Sequence, residues 1–363
     1  MHDVSMGGEV VTLDLEKKMT LIRQPPLEEV VTTSELMQLM SMKAHPKHYF
    51  GIEISGLLHI GSLVLSGFKI RDLIESGFEC TVFLADWHSF INEKFNGDWD
   101  LIQLASKYYE EAFKLFCPGV KVVQGSELYR NNDEYWRNII RFSKHITLAR
   151  TVRCLTIMGR TTKESLDFSQ YLYPSMQAVD IKALDLDLVH AGMDQRKVHM
   201  LAREVFPKLG WQPPVAIHHH LLPGLGRPEA LGLDEDQGLD LRVSSKMSKS
   251  NPRNCIFIHD DEESVRNKIR GAWCPEGIIE GNPILEYARH LIFHEDGEFN
   301  IERPDRFGGD VTFTNYQEMQ ESYLKREIHP ADLKEAVARS ITPILEPIRK
   351  HFLQRQDLLA PFQ

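Results

Sequence analysis

Tyr49-Phe-Gly-Ile-Glu-Ile-Ser-Gly-Leu-Leu-His-Ile-Gly61 reads as a strand over Tyr49–Glu53 that breaks at Ser55-Gly56. The small-residue turn feeds Leu63-Val-Leu-Ser-Gly-Phe-Lys-Ile-Arg-Asp-Leu-Ile74, whose apolar period predicts a helix. A strand, a turn and a helix opening on His59-Ile-Gly61 can hold a phosphate. Gly61 lets a nucleotide approach the backbone, the helix N-terminus offers unpaired N–H groups, and His59 adds a side-chain donor. A turn carrying a surface histidine has the same signature, so the motif needs a partner elsewhere in the chain.

That partner is Lys246-Met-Ser-Lys-Ser250, in a polar loop followed by Asn251-Pro252. Basic loops are usually just solvated. A lysine pair on a mobile loop can also close over a triphosphate and neutralise the charge developing on leaving pyrophosphate. His-Ile-Gly near the start and Lys-Met-Ser-Lys-Ser far downstream, in that order, resemble the two ATP motifs of class I aminoacyl-tRNA synthetases.

The 363 residues are enough for two domains with packed cores, and 42% hydrophobic with 26% charged residues is ordinary for a soluble globular protein. No apolar run approaches a membrane span, and the N-terminal residues lack a basic and apolar targeting signal. Five scattered cysteines without a Cys-x-x-Cys pair point to a reducing, cytoplasmic setting and away from a disulfide framework or zinc knuckle. A net charge of −10 excludes broad, unspecific coating of nucleic acid, so an RNA partner must dock on a local basic face.

Residues 1–45 read as a charged helical lead-in, with Thr33 or Ser34 capping a helix that has Glu35 in its first turn. Cys80-Thr-Val-Phe-Leu-Ala-Asp86 is a buried-looking strand, and strand, helix, strand at this spacing is a parallel βαβ unit. The first βα turn has no G-x-G-x-x-G, which weakens a dinucleotide-dehydrogenase reading. Residues 98–165 look mostly helical, with a short strand at Val120–Val123. Arg150, Arg153 and Arg160 punctuate the last helical segment, as a solvated face or an RNA-contacting one.

Tyr173, Gln177 and Asp180 fall at i, i+4 and i+7, one face of one helix. Three hydrogen-bonding side chains on that face, beside Met176 and Ile181, make a poor core and a good polar pocket wall. A strand over Leu184–Val189 then leads into His190-Ala-Gly-Met-Asp-Gln-Arg-Lys197, another strand-end turn. It offers Gly192, Asp194 for a ribose hydroxyl pair, and basic Arg196 and Lys197. In open α/β sheets ligands bind at the carboxyl ends of strands, where these residues lie.

With these motifs the chain resembles the tyrosyl-tRNA synthetases of the archaeal/eukaryotic type from about Tyr49 to Phe352. Ala85-Asp-Trp-His88, Tyr173-Pro-Ser-Met-Gln-Ala-Val-Asp180, Phe307-Gly-Gly-Asp310 and Ile328-His-Pro-Ala-Asp-Leu-Lys334 carry the likeness beside the two ATP motifs. The resemblance implies that Tyr49 and Asp180 hold the substrate phenol, and that Tyr173, Gln177 and Gln195 hold its α-amino group. Gly51, Glu53 and His88 would line that pocket. ATP would lie on His59, Gly61, Gly192, Asp194 and the Lys246–Ser250 loop, with Met247, Ser248 and Lys249 in contact. His59, Gly61, Lys246 and Lys249 would serve catalysis. Two positions depart from the family pattern: Ser62 stands where a second histidine is frequent, and Ile54 where a proline is frequent.

The fold implied is a Rossmann-like parallel-sheet catalytic domain over 1–245, with a helical, dimer-forming insertion at about 98–165. A lysine loop and linker over 246–261 and a mainly helical anticodon-binding domain over 262–363 would follow. There Phe307, His329 and Asp332 would read an anticodon base, an aromatic by stacking and a carboxylate by accepting from a guanine edge. Arg153, Arg196 and Lys197 are the remaining candidate tRNA contacts. Residues 226–245 read as a mobile, acidic insertion and hinge.

The expected reaction is activation of L-tyrosine by ATP with Mg²⁺, then transfer to the 3′-terminal adenosine of tRNA(Tyr), by a cytoplasmic homodimer without membrane attachment. A tryptophanyl-tRNA synthetase shares the fold but fits the Tyr49–Asp180 pair less well, since indole has one donor and no acceptor. A non-catalytic RNA-binding paralogue would have lost its ATP motifs, and a small-molecule nucleotidyltransferase has no use for the C-terminal helices. His218-His-His220 invites a metal, but consecutive residues on a strand point to alternate faces, so no protein-held metal is expected.

Overall fold

The computed structural model describes residues 15–159, 166–233 and 236–362; Arg160 and the leading residues 1–14 lie outside them. Six strands, β1 (Leu27–Val31), β2 (Lys47–Ile52), β3 (Glu79–Leu84), β4 (Lys121–Gln124), β5 (Leu188–Gly192) and β6 (Val215–His219), form one sheet. Their order is β1-β6-β5-β2-β3-β4, and all pairs are parallel except β1 with β6. The chain leaves β2 toward β3 and β4, then returns to β5 and β6 on the other side. The crevice between the carboxyl ends of β2 and β5 is therefore the topological switch point.

Strand alternation divides the core. Phe50, Val82, Leu84, Leu188 and Ile217 face one layer, with the helices Leu65–Glu75 and Trp99–Phe116. Tyr49, Phe83, Val189 and Ala216 face the other, with the helices Tyr173–Ala183 and Arg196–Val205. The expected α/β class with a mainly helical C-terminal part holds.

Several local expectations are corrected. The lead-in is not wholly helical: it contains β1, whose Glu28 and Glu29 look like helix surface but meet Arg242, His220, Arg196 and His218. The cap of the helix Thr33–Met42 is Thr32, one residue earlier than expected, in a capping box with Glu35. The strand expected at Leu184–Val189 runs instead over Leu188–Gly192. Asp185 turns the chain at φ 52°, and Asp187 accepts from the Lys47 N–H and pairs with Lys43, so these carboxylates sit in a polar turn. The segment expected as a helical insertion from 98 opens with a crossover of the main sheet, because β4 pairs with β3 after the helix Trp99–Phe116. Residues 226–245 are not wholly irregular: Asp236 caps a helix over Gln237–Ser245, and Asp240 receives the N–H groups of Gly232 and Leu233.

Beyond residue 256 come the helices Glu262–Arg270, Pro283–Tyr287, Tyr316–Leu324 and Pro330–Leu353. A short hairpin of β7 (Phe299–Ile301) and β8 (Val311–Phe313) is also present, which the sequence reading lacked. This part shares its core with the sheet layer. Phe352 and Phe362 pack on Tyr108 at 5.0 and 4.9 Å, His294 stacks on Phe68 at 4.3 Å, and Tyr287 Oη donates to the Pro223 carbonyl at 2.7 Å. Among the described residues, no helix is long and apolar enough to cross a membrane.

The sheet core carries a set of buried histidines. His190 Nε2 lies 2.8 Å from His219 Nδ1, and His199 Nδ1 lies 3.0 Å from His218 Nε2, while neither ring nitrogen of His48 has a hydrogen-bond partner among the described residues. Burial pushes His48 down to about 3, and does the same to His219 despite the attraction of Asp194. A folded pKa below the unfolded value of about 6.5 means stability is complete above pH 6.5 and lost as pH falls toward 3. Each such histidine contributes a slope of about 1.4 kcal/mol per pH unit inside that window. His48→Phe, which keeps a ring in the core, is expected to flatten the loss between pH 6 and pH 5 by about that amount. Urea unfolding at the two pH values measures it, and an unchanged slope would mean His48 charges without cost.

Candidate active site

A cleft of about 690 Å³ opens at the switch point. It is lined by Tyr49, Gly51, Glu53, His59, Gly61, His88, Tyr173, Gln177, Asp180, Gly192, Asp194, Gln195 and the loop from Lys246 to Ser250. All the residues expected to hold an amino acid or ATP therefore meet in one place, from β2, β5, four helical segments and a loop distant in sequence.

At the deep end, the helix Tyr173–Ala183 brings Tyr173, Gln177 and Asp180 to the same wall, as the i, i+4, i+7 spacing predicted. Asp180 is buried, and its Oδ1 accepts from Tyr129 Oη at 2.8 Å and Tyr135 Oη at 2.9 Å. Its Oδ2 has no hydrogen-bond partner among the described residues and sits 3.7 Å from His88 Nε2. Burial pushes the Asp180 carboxyl up to about 8, against the downward pull of the two tyrosine hydroxyls. Burial also lowers His88 to about 3, so it stays neutral beside Asp180, its ring edge-on to Tyr173 at 4.5 Å. Tyr49 stands on β2 with its ring against Gly51: a Cβ at Gly51 would lie 2.9 Å from the Tyr49 hydroxyl. Burial and the nearby Asp180 raise the Tyr49 phenol, which remains a neutral O–H.

Midway along the cleft, Glu53 Oε1 accepts from Tyr173 Oη at 3.1 Å and Asn92 Nδ2 at 2.7 Å, and Lys94 lies 3.4 Å from its other oxygen. Gln177 Nε2 donates to Gln195 Oε1 at 3.3 Å, and Gln195 is anchored on the Ile157 carbonyl. Gln177 Oε1 has no hydrogen-bond partner among the described residues. Tyr173 Oη, Gln177 Oε1 and Gln195 Oε1 thus offer acceptors to a group rich in donors.

The outer end is cationic. His59 precedes a π-helical turn over Ile60–Val64, an irregularity common at functional sites, which runs into the helix Leu65–Glu75. Burial, then the nearby Lys249 and Lys246, hold His59 down to about 3, so it serves as a neutral donor or acceptor. Ser62 receives the His59 N–H at 2.9 Å and donates to its carbonyl at 3.0 Å, so the departing residue closes the turn. Ile54 is fully buried, with its N–H on Ser89 Oγ, which steadies the turn in place of a proline. Lys246 Nζ pairs with Asp194 Oδ2 at 2.6 Å, and Lys249 Nζ lies 3.3 Å from Tyr109 Oη. The Lys249 stem passes Gly56 so closely that a Cβ there would meet it at 2.9 Å, and Gly56 has φ +124°. Burial opposes the charge on both Lys246 and Asp194, and their mutual attraction wins: Lys246 is raised and Asp194 lowered.

The candidate tRNA residues lie outside this cleft. Arg196 Nε is held by both Glu29 oxygens at 2.8 and 2.9 Å, and Lys197 reaches Thr156, while Arg153 is exposed. Phe307 is 58% exposed in the turn between β7 and β8, beneath the Arg306 guanidinium. Arg303 ties this turn to the Glu327 carbonyl, two residues before His329. His329 Nδ1 caps the helix Pro330–Leu353, and Asp332 lies in its first turn. Tyr109, Tyr129 and Tyr135 were missed by sequence reasoning. The helices of Tyr109 and Tyr135 were visible and the short helix Gly125–Tyr129 was not, and nothing in their spacing says which cleft group each hydroxyl meets.

The family model for class I tRNA synthetases (W and Y) matches residues 40–346. The tyrosine–tRNA ligase of Thermococcus sibiricus is 43% identical over 96% of this chain and 97% of its own. That of Saccharolobus islandicus is 41% identical over 95% and 96%. The crystal structure of tyrosyl-tRNA synthetase from Pyrococcus horikoshii, complexed with L-tyrosine, superposes with TM-score 0.89 at 39% identity, over 96% of this chain and 99% of that one. A tryptophanyl-tRNA synthetase from Plasmodium falciparum, 16% identical with TM-score 0.66, shares the fold. The family model over most of the chain, and relatives this similar over nearly their whole length, place the chain among the class I tRNA synthetases of the tryptophan and tyrosine type, in the tyrosine–tRNA ligase family.

Proposed function

We propose that the chain activates L-tyrosine with ATP and transfers it to the 3′-terminal adenosine of tRNA(Tyr). The observation that carries this is Asp180 Oδ2: a buried, unpartnered acceptor on the cleft wall, steadied through its other oxygen by Tyr129 and Tyr135. A phenol hydroxyl can donate to it and accept from Tyr49. Tyr173, Gln177 and Gln195 take the α-ammonium, whose three N–H donors match their oxygens. Gly51, Glu53 and His88 complete the pocket.

The tyrosine carboxylate attacks the ATP α-phosphorus in line, and pyrophosphate leaves. The protein supplies position and charge rather than a covalent intermediate. His59, Gly61 and the helix-end amides take the phosphates, Gly192 allows the close approach of the ribose, and Asp194 takes its hydroxyls. For this Lys246 has to leave Asp194, and Lys246 and Lys249 with Met247 and Ser248 then close on the triphosphate. Mg²⁺ would arrive on the phosphate oxygens. Asp194 would by then be taken up by the ribose hydroxyls, and Glu53 is engaged by Lys94 and Tyr173.

The C-terminal part over 262–363 is proposed to bind the anticodon through Phe307, His329 and Asp332, with 246–261 as the lysine loop and linker and Arg153, Arg196 and Lys197 as contacts nearer the acceptor stem. Arg196 is the least available of these, given its pairing with Glu29. A homodimer through the 98–165 insertion within the 1–245 catalytic domain is supported by Trp136, Ile140 and Leu148, which are 46%, 65% and 69% exposed. A cytoplasmic setting agrees with five buried, unpaired cysteines.

Pyrophosphate exchange across the twenty amino acids tests the function. Tyrosine alone is expected to support it; tryptophan, or no amino acid, would overturn the reading. Phe307→Ala or Asp332→Ala is expected to cut tRNA charging by about tenfold or more, the size of one lost stacking or charged contact, while sparing tRNA-free exchange. A matched fall in both reactions would mean that this part supports the cleft instead of reading RNA.

A further inference from the structure

We propose that His220, Glu286 and His290 form a binding site for a zinc-like divalent transition metal that clasps the C-terminal part to the end of β6. His220 follows β6, Glu286 lies in the helix Pro283–Tyr287, and His290 lies in the π-helical turn Ala288–Ile292 that continues it. His220 Nε2 and His290 Nε2 each lie 3.1 Å from the same oxygen, Glu286 Oε2, and one donor atom from each residue falls within 4.8 Å of the others.

Proximity alone would fit a hydrogen-bonded cluster, but the directions do not. Among the described residues, Glu286 Oε2 and both ring nitrogens of His290 have no hydrogen-bond partner, although His290 is only 4% exposed. The two imidazoles are stacked face to face at 4.3 Å and 9°, an arrangement that disfavours charging both. The stack turns both Nε2 atoms toward one carboxylate oxygen, as ligands converge on a shared cation. In tetrahedral coordination with bonds of about 2.0–2.1 Å, neighbouring ligand atoms are roughly 3.3 Å apart. Two of the three edges already have nearly that length.

A second, independent feature lies behind His220. Its other nitrogen, Nδ1, sits 3.2 Å from Glu28 Oε2, and Glu28 is held in turn by Arg242. A carboxylate on the far nitrogen of a ligating histidine fixes the ring and its tautomer, the usual outer support of a metal-bound imidazole. Two imidazoles and one carboxylate suit zinc or its first-row neighbours better than calcium or magnesium, which prefer all-oxygen shells. The metal would join β6, the Glu28 strand and the C-terminal helices at one point. His220 also lines the cleft, so the clasp would abut the catalytic site.

Metal-stripped full-length protein titrated with Zn²⁺ is expected to bind one equivalent per chain with a micromolar or lower Kd, and to melt at a higher temperature with zinc than with chelator. Co²⁺ is expected to give the visible absorption of a low-symmetry site at the same stoichiometry. Glu286→Gln, which keeps shape and packing, and His290→Ala are each expected to weaken Zn²⁺ at least fiftyfold and to abolish the zinc-dependent shift in melting. Substoichiometric zinc binding by the unaltered chain would overturn the site, leaving a metal-free His–Glu–His cluster. So would a Glu286→Gln variant that binds zinc as the unaltered chain does. Neither result bears on tyrosine activation, which pyrophosphate exchange tests separately.

Discussion

Asp180→Val is expected to lower kcat/KM for tyrosine by roughly 10- to 150-fold while leaving phenylalanine unchanged or improved. A third hydrogen bond, donated by the substrate phenol, favours the ionised form of a carboxyl that burial raises to about 8, and the bond lost with it is worth about 1.5–3 kcal/mol. The opposite sign for phenylalanine follows from Asp180 Oδ2, which has no hydrogen-bond partner among the described residues. A phenylalanine ring would cover that oxygen without satisfying it, so the native carboxyl penalises it and valine does not. The substitution also strands the Tyr129 and Tyr135 hydroxyls, which now donate to Oδ1. That cost is common to both substrates and offsets part of the gain for phenylalanine, so the tyrosine-to-phenylalanine ratio isolates the recognition. Tyr49→Phe is expected to shift the ratio in the same direction but less, because only a neutral hydrogen bond is lost. Pyrophosphate exchange with both amino acids gives the ratios. Equal losses for the two would mean that Asp180 supports the fold and does not touch the phenol.

Much of this site was visible in the sequence because it depends on local periodicity. Tyr173, Gln177 and Asp180 reach one wall because a helix repeats every 3.6 residues, and no distant contact is needed to bring them there. The strand ending at Ile52 and the turn to His59 were legible from alternation and small residues. What escaped depends on partners remote in sequence. Tyr129 and Tyr135 meet Asp180 from 51 and 45 residues away, and no local pattern encodes which helix they face. β1 looked like helix surface because Glu29 is satisfied only once β6 and the helix Arg196–Val205 are in place, and Glu28 only once His220 and Arg242 are. The histidine run at 218–220 shows both sides of the argument. Alternation correctly sends His218 to Glu29 and His199, and His219 to His190. It says nothing of His220, which lies beyond the strand and meets Glu286 and His290 from a different part of the chain.

Lys249→Ala is expected to slow tyrosyl-adenylate formation by about 10²–10³-fold, the usual loss when one preorganised group stabilising transition-state charge is removed. Tyrosine affinity should stay nearly unchanged, because Lys249 stands at the opposite end of the cleft from Asp180. The electrostatics of the phosphate end single out this lysine. His59 is held neutral by burial and by the two lysines, so it brings hydrogen bonds but no charge. Lys246 already shares its charge with Asp194 at 2.6 Å. Lys249 makes no ion pair among the described residues; its Nζ meets only the neutral Tyr109 hydroxyl at 3.3 Å. Its charge is therefore the more freely available as negative charge builds on the departing pyrophosphate, and an interaction that strengthens only then raises kcat without tightening substrate binding. Gly56 supports this placement: its missing side chain leaves the channel through which the Lys249 stem reaches the cleft. Gly56→Ala should accordingly reproduce part of the defect, since its Cβ would displace the lysine. Single-turnover adenylation, with tyrosine affinity measured in parallel by equilibrium binding, separates the two quantities. An adenylation rate within twofold of the unaltered chain would remove Lys249 from the chemistry, and a parallel loss of tyrosine affinity would point to a collapsed cleft instead.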